Sequence, residues 1–177
     1  WPGVEGCESN GLFYEESTDS FLYSFYTNDS IVEVEHATGE SMWWAGRAEN
    51  GYSFSPSKHQ FDWQHGISYT DTGSLLVSTL DILKGSYTTM LREYTVDHET
   101  GVITSIWEYD PRVHAGTNGD AWRLDNGNTL HVIGSAGVVV EVTEDGLEAW
   151  RVSFNGNYLM GRGEMIGDLY GLVKDGG

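Results

Sequence analysis

The chain has 177 residues, with 27 acidic against 9 basic side chains and a formal net charge of −18. Such a charge repels the phosphate backbone of nucleic acid and anionic membrane surfaces, so neither is expected as a partner. With 39% apolar and 13% aromatic residues, it carries core material for one domain and too little length for two. The lone Cys7 excludes an internal disulfide and a multi-cysteine zinc site.

No apolar run reaches membrane-span length, and the opening WPGVEG has neither an initiating Met nor a signal-like segment. A leader or a larger N-terminal portion is therefore expected to precede it. Helical periodicity is absent. Short β-branched and aromatic runs, separated by Gly, Asn and Asp turns, define an all-β chain.

The first unit has an inner strand ending at Tyr14, the turn STDS, a second strand, a third ending in VEVEHATG, and a fourth carrying Trp43. The polar stretch SPSKHQ then reads as a loop. The second unit repeats the order, with an inner strand to Tyr69, the turn DTGS, a third strand ending in YTVDHETG, and Trp107. The third has the turn DNGN, a third strand ending in VEVTEDG, and Trp150.

A four-stranded meander repeated at this length predicts β-propeller blades, because one small sheet cannot bury both faces and must stack on its neighbours. The repeat disfavours the alternative, a β-sandwich with coincidental spacing. The blades are expected over about 8–45, 63–109 and 118–152 of one partial propeller spanning 1–177, with 153–177 as a closing segment. Three blades do not close a ring, since propellers have about 4–8. A missing portion, a second copy or another chain is expected to complete it.

Tyr14, Tyr69 and Leu124 recur at a constant step of 55. Four residues before each stand Asn10, His65 and Asp120, and six before stand Glu8, Trp63 and Asn118. Side chains alternate with period two, so both sets are expected on one face, converging on the propeller axis. His65 is the candidate nucleophile or general base, with Asn10 or Glu8 fixing its tautomer. The plainer alternative is a His65 that only hydrogen-bonds the neighbouring blade.

Gly66 is expected to let a substrate approach the backbone. His114, in DPRVHAGTNGD, could reach the channel rim and ranks behind His65. His36 and His98 fall in hairpin turns, His59 in the polar loop and His131 inside a second strand, where packing explains it. Glu15/Glu16 and Glu144/Asp145 lack the spacing of a Ca²⁺ loop, and GRGEMIG lacks the Lys of a phosphate loop. Neither a metal nor a nucleotide cofactor is expected.

The segments NGLFYEESTDSFLYSFYTNDSIVEVEHATGESMWWAG, FDWQHGISYTDTGSLLVS, YTVDHETGVITSIWEY, GDAWRLDNGNTLHVIGSAGVVVEVTEDGLEAWRV and GDLYGL together resemble the arylsulfotransferase-type β-propellers. The match looks like the C-terminal half of that family's six-bladed ring. The resemblance implies a periplasmic or secreted protein that moves a sulfuryl group from an aryl sulfate to a phenol without a nucleotide donor, through a transient sulfohistidine. It implies His65 as that histidine and Asn10 beside it.

Two positions depart from the family pattern: Glu8 stands where the family carries His, and Tyr26 where it carries Arg. Losing donors to an anionic group weakens transition-state stabilisation by a few kcal/mol. Two further readings follow. One is a catalytically inactive propeller serving as a secreted or surface binding or assembly module. The other is a lyase or hydrolase using Glu8 and His65 as an acid–base pair.

Overall fold

The computed structural model describes residues 6–81, 87–156 and 159–163. The GDLYGL motif therefore lies outside the described residues. The first blade comprises β1 (Ser9–Glu15), β2 (Ser20–Phe25), β3 (Ser30–Glu35) and β4 (Ser41–Gly46), hydrogen-bonded in that order as an antiparallel meander. Between blades one and two, β5 (Ser53–Ser55) pairs parallel with β9, outside the expected meander. The second blade continues with β6 (Ile67–Tyr69), β7 (Leu75–Asp81), β8 (Thr88–Asp97) and β9 (Val102–Tyr109). The third comprises β10 (Gly119–Arg123), β11 (Thr129–Ile133), β12 (Val138–Val142) and β13 (Glu148–Ser153).

The fold is thus all-β, three propeller-type blades, with no α-helix among the described residues. Hairpin chemistry makes it so. Gly39, Gly101 and Gly146 take φ of 71°, 66° and 78° in the turns between third and fourth strands, a region open to Gly at no steric cost. The segment read as a loop after Trp44 contributes β5 because Phe54 packs edge-on against Phe61 and Tyr94.

Blades stack through two apolar layers. Leu22, Ile31, Trp43 and Ala45 of blade one meet Ile67, Leu75, Val77 and Tyr94 of blade two. Leu76, Leu91 and Tyr109 of blade two meet Ala121, Val140 and Val142 of blade three. Each blade also repeats a polar device. Glu33, Glu93 and Glu141 on the third strands lie opposite Trp43, Trp107 and Trp150 on the fourth, each beside a bulge.

Glu33 is buried, and it accepts hydrogen bonds from Ser20 Oγ at 2.5 Å, Thr18 Oγ1 at 3.4 Å, Trp43 Nε1, and Tyr69 OH of blade two at 2.7 Å. Four donors fill the acceptor capacity of one carboxylate. Glu93 accepts from Ser74 Oγ at 2.5 Å and from the Arg123 guanidinium of blade three. Trp107 Nε1, displaced from this role, donates to the Glu144 carbonyl at 3.0 Å.

Register corrects one expectation. Gly11 lies opposite Ser24, the Gly66 carbonyl accepts from Ser78 N at 2.8 Å, and Asp120 lies opposite Val132. These partners are each four residues past Ser20, Ser74 and Asn128, the equivalent positions at the entry to the second strands. Asp120 is therefore equivalent to Gly11 and Gly66, while Gly119 occupies the place of Asn10 and His65. The constant step of 55 fails in blade three because Arg123, not Leu124, makes the contact that Tyr69 makes in blade two.

Gly66 is also reassigned. A Cβ there would meet Asp120 Cα at 2.4 Å, so the glycine admits the next blade's backbone rather than a substrate. Gly11 does the same for blade two, with His65 O only 2.7 Å from a built Cβ. Replacing Gly66 by Ala should destabilise the protein in urea by about 3 kcal/mol or more. Gly161→Ala, where nothing lies within 4 Å, should stay within about 0.5 kcal/mol of the parent.

Candidate functional site

Where the inner strands enter their blades, a cavity of about 300 Å³ opens, lined among others by Asn10, Tyr26, Trp63, His65, Asn118, Asp120 and Arg162. Five of the residues nominated from the sequence meet there. Glu8 is exposed and does not line the cavity; it accepts a hydrogen bond from Tyr26 OH. That engagement leaves an acid–base pair of Glu8 and His65 without geometric support. His114 does not line the cavity; its ring lies against Tyr87, 6.2 Å between centroids.

Two lining residues hold left-handed backbone, Trp63 at φ 47° and Asn118 at φ 61°. For a bulky Trp this is a rare conformation that costs about 1–3 kcal/mol and persists only where its surroundings impose it. Asp29 imposes it. Its Oδ1 accepts from Trp63 N at 2.6 Å, while its Oδ2 pairs with Arg47 at 2.8 Å. Trp63 thereby remains half exposed at the mouth.

Asn10 reaches across from blade one. Its Nδ2 donates to the Gln64 carbonyl at 2.8 Å and contacts His65 Nδ1 at 2.7 Å, while its Oδ1 accepts from Ser24 Oγ at 2.8 Å. A carbonyl oxygen only accepts, so the amide orientation is fixed and His65 Nδ1 must be an acceptor. Gln64 is anchored in turn, its Nε2 donating to Ser30 O at 3.0 Å.

Burial lowers the His65 pKa, because a charged imidazolium loses its hydration. The ring is therefore neutral near pH 7 with its proton on Nε2. That nitrogen is buried and has no hydrogen-bond partner. Tyr26 stacks on the same imidazole, 6.1 Å between centroids at 18°.

Asp120 is buried, and its pKa is pushed up to about 6 by desolvation, against the opposing charge of Arg162. Arg162 Nε lies 3.2 Å from Asp120 Oδ2. Oδ2 nevertheless makes no well-aligned hydrogen bond, so the contact is an ion pair by distance only. Arg162 Nη2 also donates to the Leu12 carbonyl of blade one at 3.2 Å. Sequence reading missed Arg162, since only the fold brings it across 150 positions to the inner strand of blade one.

The wall thus carries a buried, unpartnered N–H at His65 and the Asp120–Arg162 ion pair beside two aromatic rings. It is equipped to hold a polar aromatic molecule. Nucleophilic attack from His65 Nε2 requires a lone pair there, and the Asn10 contact holds a proton on it instead. Among the described residues no group of three or more acidic, His or Cys side chains is placed to hold a metal ion.

No family model matches the sequence, and no curated protein matches it. Solved structures match its fold. The chain is similar to the WD40 β-propeller domain of Doa1 (TM-score 0.57, 14% identity, covering 86% of this chain and 43% of that one). It is also similar to catalytically inactive virginiamycin B lyase from Staphylococcus aureus with quinupristin (TM-score 0.54, 12% identity, 85% and 43%). A third is a protein of unknown function from Bacteroides caccae (TM-score 0.53, 13% identity, 89% and 50%). The chain spans half or less of each of these structures, and the likeness shows the propeller fold.

The raised Asp120 pKa carries a pH dependence with a definite sign. The folded state holds this proton more tightly than the unfolded state, so stability is full below about pH 4. It falls as pH rises towards about 6 and stays low above. Asp120→Asn should therefore be the more stable protein at pH 7, by about 2–3 kcal/mol. Urea titrations should show that advantage vanishing by pH 4.

Proposed function

We propose that the chain is a propeller binding module whose axial cavity takes a small phenolic or aryl-sulfate ligand without turning it over. The observation that carries this is the hydrogen bond from Asn10 Nδ2 to His65 Nδ1 at 2.7 Å, with the amide pinned by Gln64 O and Ser24 Oγ. It makes Nε2–H a donor to a ligand oxygen. Tyr26 and Trp63 supply ring faces and Arg162 the positive charge that an anionic oxygen needs. The periplasmic or secreted setting implied by the resemblance to arylsulfotransferase propellers belongs to this proposal.

A second reading is sulfuryl transfer, favoured by the placement of His65 and Asn10 together on the cavity wall. It requires His65 Nε2 to attack sulfur, forming an N–S bond while the S–O(aryl) bond breaks and phenolate leaves. For that step the ring must first surrender the tautomer that Asn10 imposes. Glu8, hydrogen-bonded to the cavity-lining Tyr26, adds negative charge beside that residue and supplies no donor to a departing or arriving anion.

Incubation with an aryl sulfate separates the two. The module reading expects saturable binding by calorimetry, no phenol released, no adduct on His65, and an ¹⁵N spectrum with the imidazole proton on Nε2. His65→Ala should weaken binding about ten-fold, the value of one hydrogen bond to a charged group. Phenol release with a sulfuryl adduct at His65, both lost in His65→Ala, would establish transfer instead. Absence of binding would remove the module reading.

A further inference from the structure

The two outer faces of the three-blade stack are complementary to each other. Register makes Leu130, Val139 and Val152 of blade three the counterparts of Leu22, Ile31 and Ala45 in blade one and of Leu76, Leu91 and Tyr109 in blade two. In blades one and two these positions are buried, 0–8% exposed, beneath the following blade. In blade three Leu130 and Val139 are partly exposed and Val152 is 44% exposed. The carboxylate device is equally incomplete. Glu141 takes Asn128 Nδ2 and Trp150 Nε1, each at 2.5 Å, and Asn126 Nδ2 at 3.4 Å, all from its own blade, and no tyrosine or arginine of a following blade reaches it among the described residues.

The opposite face carries what blade three lacks. Tyr14, Tyr69 and Arg123 lie opposite Phe21, Leu75 and Thr129, each one residue after the equivalent positions Ser20, Ser74 and Asn128. Tyr14 is therefore the counterpart of Tyr69, whose hydroxyl closes the device on Glu33. Tyr14 is 46% exposed and its hydroxyl donates only to Asp19 of its own turn, at 2.9 Å. Around it, Leu12 at 43% exposure and the partly exposed Phe21 and Tyr23 stand where blade two buries Ile67, Leu75 and Val77.

We infer that a second copy of this chain covers both faces, with Tyr14 of each copy donating to Glu141 of the other, so that two sets of three blades close a six-bladed ring. A two-fold axis makes the two contacts identical, and six blades fall within the range that closes. Each contact reproduces the Tyr69 to Glu33 bond and buries an apolar layer of the kind already present between blades one and two. The pairing also removes both open sheet faces, which otherwise invite indiscriminate association.

Sedimentation equilibrium of the 177-residue chain tests this. The expected particle has twice the 19.7 kDa mass of one chain. Tyr14→Phe and Glu141→Gln should each raise the dimer dissociation constant about a hundred-fold, ten-fold for each of two symmetric contacts. The double variant should lose no more than either single one, since both remove the same bond. Far-ultraviolet circular dichroism matching the parent certifies the fold of each variant. A monomer at every soluble concentration would overturn the inference and point to another chain segment or protein as occupant. An open-ended ladder of masses, or a dimer indifferent to both substitutions, would overturn it equally.

Discussion

The interface between blades one and two turns on a carboxylate that, among the described residues, is buried without a cationic partner. Glu33 sits in an apolar layer, where an unpaired polar group costs about 1–3 kcal/mol and a charged one more. Its oxygens are satisfied by Ser20, Thr18 and Trp43 from its own blade and Tyr69 from the next. Three of those donors belong to one sheet and the fourth is the inner strand of its neighbour. The arrangement cannot be met if β6 shifts by one residue, because alternation would turn Tyr69 to the other face. Apolar burial makes the blades stack, and the carboxylate fixes how.

That fixed stacking sets the cavity at the opposite end of the inner strands. With β1 and β6 held in register, the absent side chains of Gly11 and Gly66 let successive backbones close to contact. Asn10 is then near enough to span from blade one to Gln64 and His65. The tautomer of a single imidazole thus follows from packing in the blade interface. The strained Trp63 backbone belongs to the same frame, held by Asp29 at the turn between β2 and β3, which Arg47, just after β4, pairs with.

Much of this was legible from residues alone, for identifiable reasons. Turn glycines at Gly39, Gly101 and Gly146 and the fourth-strand Trp43, Trp107 and Trp150 report local geometry, and local geometry gives the four-stranded repeat. Strand β5 escaped because three residues in a parallel edge pairing show no alternation to read. The register of blade three escaped because the constant step of 55 falls on Leu124, whereas the contact that matters is made by the charged Arg123. The role of Gly66 escaped because glycine signals close approach without saying of what. Arg162 and the direction of the Asn10 hydrogen bond depend on contacts between distant segments, and no local pattern encodes them.

The claim that a buried carboxylate locks neighbouring blades is tested most directly by urea unfolding of Glu33→Ala beside Glu35→Ala, the latter at an exposed position on the same strand. The account predicts a loss of about 3 kcal/mol or more for Glu33→Ala, since Ser20, Trp43 and Tyr69 are left with unpaired donors, and less than about 0.5 kcal/mol for Glu35→Ala. Equal and small effects at both positions would contradict it.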